Sequence, residues 1–270
     1  DENGMKASKP ISKAFGPPAE EFGEAAKEAG KNLGEVATTI KQAVNLLISP
    51  IRGMVWGGEK IRDWLNVTLS EKLKDTPIDE IQTPPINVAG PVIEALRFNA
   101  DQEEIKEMFA NLLVCSMKKE EIEYVHPSFV EIVKQLSSDE AKIFKYVHGS
   151  KKDSLPLIDV IYNNENPNSG FKYIQKKFSN LGYETECAMP DNVRSHLENL
   201  SRLNLIEIFS ETYLADEELY LKLFNHHSLD ESKENFIKLF DLNMERVSYK
   251  KGIITMTDFG RYFGRVCLDA

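Results

Sequence analysis

The residues best suited to metal or nucleophilic chemistry are three cysteines and five histidines in a chain of 270. Cys115, Cys187 and Cys267 are scattered, and no Cys-x-x-Cys or His-x-x-x-His pair offers a chelating set. His226 and His227 are adjacent, which on a helix turns their rings about 100° apart, so they read as surface residues beside a charged loop. Asp101, Glu104 and Lys106 could be drawn as the acidic pair and lysine of a nuclease. A helix start explains them better, with Asp101 as cap, Glu104 as its reciprocal partner and Lys106 on the solvated face. His126, a conceivable general base, precedes Pro127 where a helix begins. Gly53 to Lys60 has the glycines of a phosphate loop, but the lysine falls late, no Ser or Thr follows it and no strand precedes it. With no Gly-x-Ser-x-Gly elbow either, the expectation is a non-enzymatic protein with no catalytic residue, metal ligand or cofactor.

The elements that would position any site are helical. The composition, 41% hydrophobic and 28% charged, is that of a soluble globular protein. Scattered cysteines point to a reducing compartment. No apolar run of spanning length and no signal-peptide core are seen, so the protein is expected in the cytoplasm, with the inner membrane face as a peripheral alternative. The first 75 residues carry as many acidic as basic side chains, so the net charge of −10 belongs to the remainder. An acidic surface disfavours phosphate neutralisation, which makes nucleic acid an improbable partner.

Residues 1–17 read as a flexible tail. In 18–75 an amphipathic helical hairpin is predicted. Phe22, Ala26, Ala29, Leu33, Val36, Ile40, Ala43 and Leu47 alternate spacings of 4 and 3, the seam of a coiled coil. Its small residues, with Gly23, Gly30 and Gly34 beside them, permit close helix approach. Pro50 breaks the apolar run 43–58, and Arg52, Met54 and Trp56 of the turn, with Trp64 beyond it, are suited to contact a partner or a membrane surface. A second helix carries Ile61, Leu65, Leu69 and Leu73 at a spacing of four. Residues 76–100 read as a Pro-rich connector, with a turn at Ile78–Ile81 and a short helix at Val92–Arg97 led by Pro91.

Central helices are predicted over 101–136, with Ile105, Met108, Phe109, Leu112, Leu113 and Ser116 on one face, then Phe129, Val130, Val133 and Leu136. The runs PPINVAGPVIEALRF, EEIKEMFANLLVCSM and HPSFVEIVKQLSSDEAKI, together with SPIRGMVWG, EKIRDWL and the C-terminal ITMTDFGRYFGRVC, resemble the bacterial abortive infection alpha family. The resemblance covers roughly 36–148 and the last helix. It implies a mostly helical protein associated by name with phage defence, and it carries over no active-site residue.

Residues 137–270 read as a winged-helix-like α+β domain. Ser137 and Glu140 cap a helix with Ala141, Phe144 and Val147, and an apolar helix or turn follows at Leu155–Tyr162. A loop spans Asn163–Gly170, and a helix starting at Pro190-Asp191 leads into a strand at Leu205–Ile208. A β-hairpin is predicted with its turn at Lys250-Lys251-Gly252, running into a helix with Phe259, Tyr262, Phe263 and Val266 inward. The would-be recognition element, Glu186 to Ile208, has more carboxylates than arginines and repels phosphate.

The fold expected is therefore mainly α: an N-terminal hairpin, a central helical body and a winged-helix-like domain. The function expected is abortive-infection-type defence through helix-mediated association, either homo-oligomeric or with a partner protein. A peripheral membrane or pore-forming effector and a winged-helix transcription regulator are the alternatives.

Overall fold

A computed structural model describes residues 38–42, 58–99 and 101–270, and the chain divides into two compact units, 1–100 with 112–127 and 101–111 with 128–270. In the first, the stripe at a spacing of four does what it predicts. Helix α1 (Gly58–Lys72) buries Ile61, Leu65 and Leu69, and Leu73 just beyond its end is fully buried. Helix α2 (Ile86–Asn99) is longer than the expected Val92–Arg97, because Pro84-Pro85 starts it: the Pro85 carbonyl accepts from the amides of Val88 and Ala89. Pro91 therefore lies inside the helix rather than at its first position. Gly90 before it has no Cβ to meet the proline ring, the clash that normally disfavours helix at that place. The Ile78–Glu80 turn is present, and Gln82 and Lys119 bond across to Met117 and Glu80 to tie this loop down.

Helix α3 (Glu103–Met117) contributes residues through Asn111 to the second unit and from Leu112 to the first. Every residue from Met108 to Met117 is buried, so the predicted stripe widens to cover all sides of the helix beyond its first turn, where Glu103 stays exposed. The second unit continues with α4 (Ser128–Val133) and α5 (Ser138–Gly149). The latter starts at the expected capping box, where Ser137 Oγ accepts from the Glu140 amide and Glu140 Oε2 accepts from the Ser137 amide at 2.8 Å.

The sheet is where reading and structure part. Leu155–Tyr162 is neither helix nor turn but most of strand β1 (Ser154–Asn163). It lies between two strands and is buried on both faces, so the alternation that marks a strand is missing. Strand β2 (Phe171–Phe178) gives no clear sequence signal, since an edge strand rich in lysine looks like a solvated loop. Helices α6 (Leu181–Glu184) and α7 (Val193–Arg202) follow, the second with Val193, Leu197 and Leu200 buried. Asn204 turns the chain with φ 57° into β3 (Ile206–Phe209).

Helices α8 (Glu217–Phe224) and α9 (His227–Phe240) lead to β4 (Val247–Met256) and α10 (Asp258–Cys267). The four strands pair antiparallel in the order β2-β1-β4-β3. The predicted hairpin is not formed. Lys250, Lys251 and Gly252 sit mid-strand opposite Asp159, Ile158 and Leu157. Gly252 marks a close approach instead of a turn, since a Cβ there would meet the Phe209 carbonyl oxygen inside 3.0 Å. Tyr262, expected inward, is exposed, while Phe263 and Val266 are buried. The described residues thus form a helix-rich α+β fold. One core packs Ile158, Val160 and Phe178 of the sheet against Tyr220, Leu223 and Leu229.

Candidate functional site

Of the residues predicted to mediate association, Phe22, Ala26, Ala29, Leu33, Val36, Ala43, Leu47, Arg52, Met54 and Trp56 lie outside the described residues. Ile40 belongs to a helical stretch at 38–42 and is completely buried within a single copy of the chain. Trp64 is half-buried on α1. All three cysteines are buried, and among the described residues none forms a disulfide. Among the described residues no group of three His, Cys, Asp or Glu side chains is placed to hold a metal. The acidic–lysine trio is dispersed: Lys106 pairs with Glu103 at 2.6 Å and Glu104 faces Lys142 at 3.8 Å.

The fold does assemble one cluster that spacing conceals. Asp139 in the first turn of α5 accepts from the amides of Ala188 and Met189 at 2.8 and 3.1 Å. His196 on α7 lies 3.7 Å from Asp139 and 3.8 Å from Glu140, and Cys187 reaches the Asp139 carbonyl at 3.7 Å. The residue types are those of a cysteine nucleophile with its base, but the arrangement is structural. Burial pushes the Cys187 thiol pKa up, which favours the unreactive protonated form. The Asp139 carboxylate holds the 187–189 loop.

His226 has a comparable role at the start of α9, where its Nδ1 accepts from the Ser228 amide. Burial lowers its pKa, as does the neighbouring His227, against weaker pulls from Asp191 and Asp230. The fold thus prefers neutral His226, and the stability it confers is present above the ordinary histidine value of about 6.5 and is lost as pH falls below it. We expect His226→Asn, which keeps a capping acceptor, to weaken the stability loss between pH 7.5 and 5. Parallel pH–melting curves for variant and wild type would refute this.

Two surface features of the second unit, among the described residues, suit recognition. A cleft of about 280 Å³ opens where α5 ends, β1 begins, β4 ends and α10 starts. Its floor is apolar, with Val147, Leu155, Ile254 and Met256, and its rim carries His148, Ser150, Lys152 and Arg261. His148 is held from three sides. Its ring stacks on Phe144 with centroids 6.2 Å apart, its Nε2 donates to Asp269 at 2.8 Å, and it presses on Gly264, where any Cβ would meet it inside 3.0 Å.

The second feature is an exposed apolar end of α9. Leu239 and Phe240 are 76% and 51% exposed, and Phe236 lies 4.9 Å from the Phe240 ring. Strand β2 extends this surface. Lys172 sits 5.6 Å over Phe240, while Phe171 and Tyr173 pack edge to face at 5.1 Å under Lys250 and Lys176. Nothing in the linear pattern joins α9 to β2.

No curated protein matches the chain. Among solved structures, an uncharacterized protein from the hydrocarbon-degrading marine bacterium Alcanivorax borkumensis SK2 is similar at 14% identity, covering 55% of this chain and 94% of that one with a TM-score of 0.35. The abortive infection alpha pattern matches residues 58–267, through the sheet that the resemblance noted above leaves out and without residues 36–57. A match over most of its length places the chain in one family: it belongs to abortive infection alpha.

Proposed function

We propose that the protein is a non-enzymatic, abortive-infection-type defence protein that works by helix-mediated association between copies of its own chain. The observation that carries this is the exposed Leu239–Phe240 end of α9, which presents adjacent large apolar side chains to solvent on a chain of net charge −10. The groups with chemical potential serve structure: Asp139 pins a loop, Cys187 favours its protonated form and His226 caps a helix. Aromatic rings covered by lysines on β2 extend the surface with the mixed character of a protein interface.

The winged-helix-like reading rests on α7 leading into β3, which pairs antiparallel with β4. We do not extend it to DNA. Without the hairpin tip, Lys250 lies over the Phe171 ring and Lys251 is paired with Glu217. Residues 18–58, most of which lie outside the described residues, carry the predicted seam for association under this reading, and the lipid-binding alternative assigns the same segment to an interface. Among the described residues no helix is long and apolar enough to cross a membrane.

Light scattering of the full chain tests the proposal. We expect an oligomeric mass for wild type and at least a twofold lower mass for Leu239→Asp/Phe240→Asp at unchanged melting temperature. A wild-type monomer, or a mass that the double substitution leaves alone, refutes it. Flotation with anionic vesicles that depends on the same two residues refutes it in favour of a membrane surface.

A further inference from the structure

We propose that the cleft between α5, β1, β4 and α10 binds a small phosphate monoester that has an apolar body. The site is amphipathic in the way such a ligand requires. Leu155, Ile254 and Met256 give it a water-excluding floor, and Lys152 and Arg261 stand on its rim. The cations are available. Lys152 Nζ has no carboxylate or hydrogen-bond acceptor among the described residues, although the Lys152 backbone amide bonds Ser150 Oγ at 3.1 Å. Arg261 makes a single long contact, 3.5 Å from Nε to Asp258, and both partners are largely exposed, so this pair opposes a ligand weakly.

The two serines on the rim favour the same headgroup, and the one carboxylate opposes it. Ser150 and Ser154 bring hydroxyls to the cleft, and Asp153 is its one lining carboxylate. The planar guanidinium fork pairs with two oxygens of either a phosphate or a carboxylate, but a dianion drawn by two cations gains more than a monoanion does. That selects phosphate over carboxylate. The floor then discriminates against inorganic phosphate, which leaves the apolar surface wet. His148 closes one side. Gly264 allows its ring to approach α10 closely, and Asp269 accepts a hydrogen bond from Nε2–H, which holds the imidazole in place. Fixed walls lower the ordering cost of binding.

Isothermal titration calorimetry on the full chain, with phenyl phosphate, inorganic phosphate and benzoate as separate probes, tests the assignment. Phenyl phosphate is expected to bind at least tenfold more tightly than either of the others. Lys152→Glu and Arg261→Glu are each expected to weaken it by tenfold or more, and Ser150→Trp, which fills the mouth from the surface, to abolish it. Lys222→Glu makes the same charge change on an exposed turn of α8 and should leave binding unaltered. The assignment is overturned if wild type shows no heat with phenyl phosphate at millimolar concentration, if benzoate or inorganic phosphate binds equally well, or if Lys222→Glu weakens binding as much as the rim variants. This site is independent of the association proposed above. A chain that binds phenyl phosphate but stays monomeric fails only that earlier reading.

Discussion

Gly260→Ala is expected to destabilise the second unit by about 3 kcal/mol, the upper range for inserting a methyl group into a packed contact, and to lower its melting temperature by roughly 6–12 °C. The residue lies in the first turn of α10, directly over the corner where α7 passes into β3. A Cβ there would meet the carbonyl oxygen and carbon of Leu205 inside 3.0 Å, and backbone cannot step aside as a side chain can. The same corner anchors the helix start. Thr257 donates its amide to the Leu205 carbonyl at 3.2 Å and its hydroxyl to the Asn204 carbonyl at 2.5 Å, and accepts from the Gly260 amide at 2.7 Å. Pushing α10 away to admit a methyl group weakens those bonds together.

Two comparisons make the prediction specific. The nearest atoms that Gly264→Ala meets belong to the His148 side chain rather than to backbone, so it should cost less than Gly260→Ala while displacing the ring that walls the cleft. Gly149 ends α5 with nothing within 4 Å of the place a methyl group would take; Gly149→Ala should therefore stay within about 0.5 kcal/mol of wild type. Thermal unfolding followed by circular dichroism ranks all three. A Gly260→Ala loss under about 1 kcal/mol would show that α10 is not pressed on the β3 corner.

These glycines show how far the sequence can be read. Asp258 to Cys267 is legible as a helix, because Thr257 is a good cap and Phe263 and Val266 recur on one face. Why Gly260 and Gly264 stand inside that helix is not legible, since each answers to a residue distant in sequence, Leu205 and His148. The same division holds elsewhere. The Ser137–Glu140 capping box and the stripe at a spacing of four are local, and the helices they mark are present. Strand β1 fails as a prediction because burial on both faces erases the period of two. The β4 hairpin fails because Lys-Lys-Gly is turn chemistry wherever a partner backbone is not known to approach. The cleft and the α9–β2 surface are products of packing. The one hint of the former in the sequence is the GRYFG spacing in α10, and the second has none.

Tyr220→Phe is expected to cost about 2–4 kcal/mol, although it removes a single oxygen, because two backbone groups lose their partner. The Tyr220 ring is fully buried between α8 and the sheet, and its hydroxyl donates to the Gly252 carbonyl at 3.0 Å while accepting from the Leu214 amide at 2.9 Å. Phenylalanine fills the same volume and leaves both groups dry. Burial raises the Tyr220 pKa above the usual phenol value. The hydroxyl therefore stays protonated, and the stability it gives is intact below pH about 10 and declines as pH rises beyond that. The variant should lose this alkaline decline, and its Leu214 amide should exchange with solvent faster. A melting point unchanged within about 1 °C, with unaltered Leu214 exchange, would mean that water already satisfies the two groups. The consequence reaches function through the sheet: the Gly252 carbonyl belongs to β4, α8 leads directly into α9, and α9 carries the Leu239–Phe240 end. If the bond fixes where α9 emerges, Tyr220→Phe should weaken self-association without touching the proposed contact, whereas phenyl phosphate binding at the other end of β4 should persist.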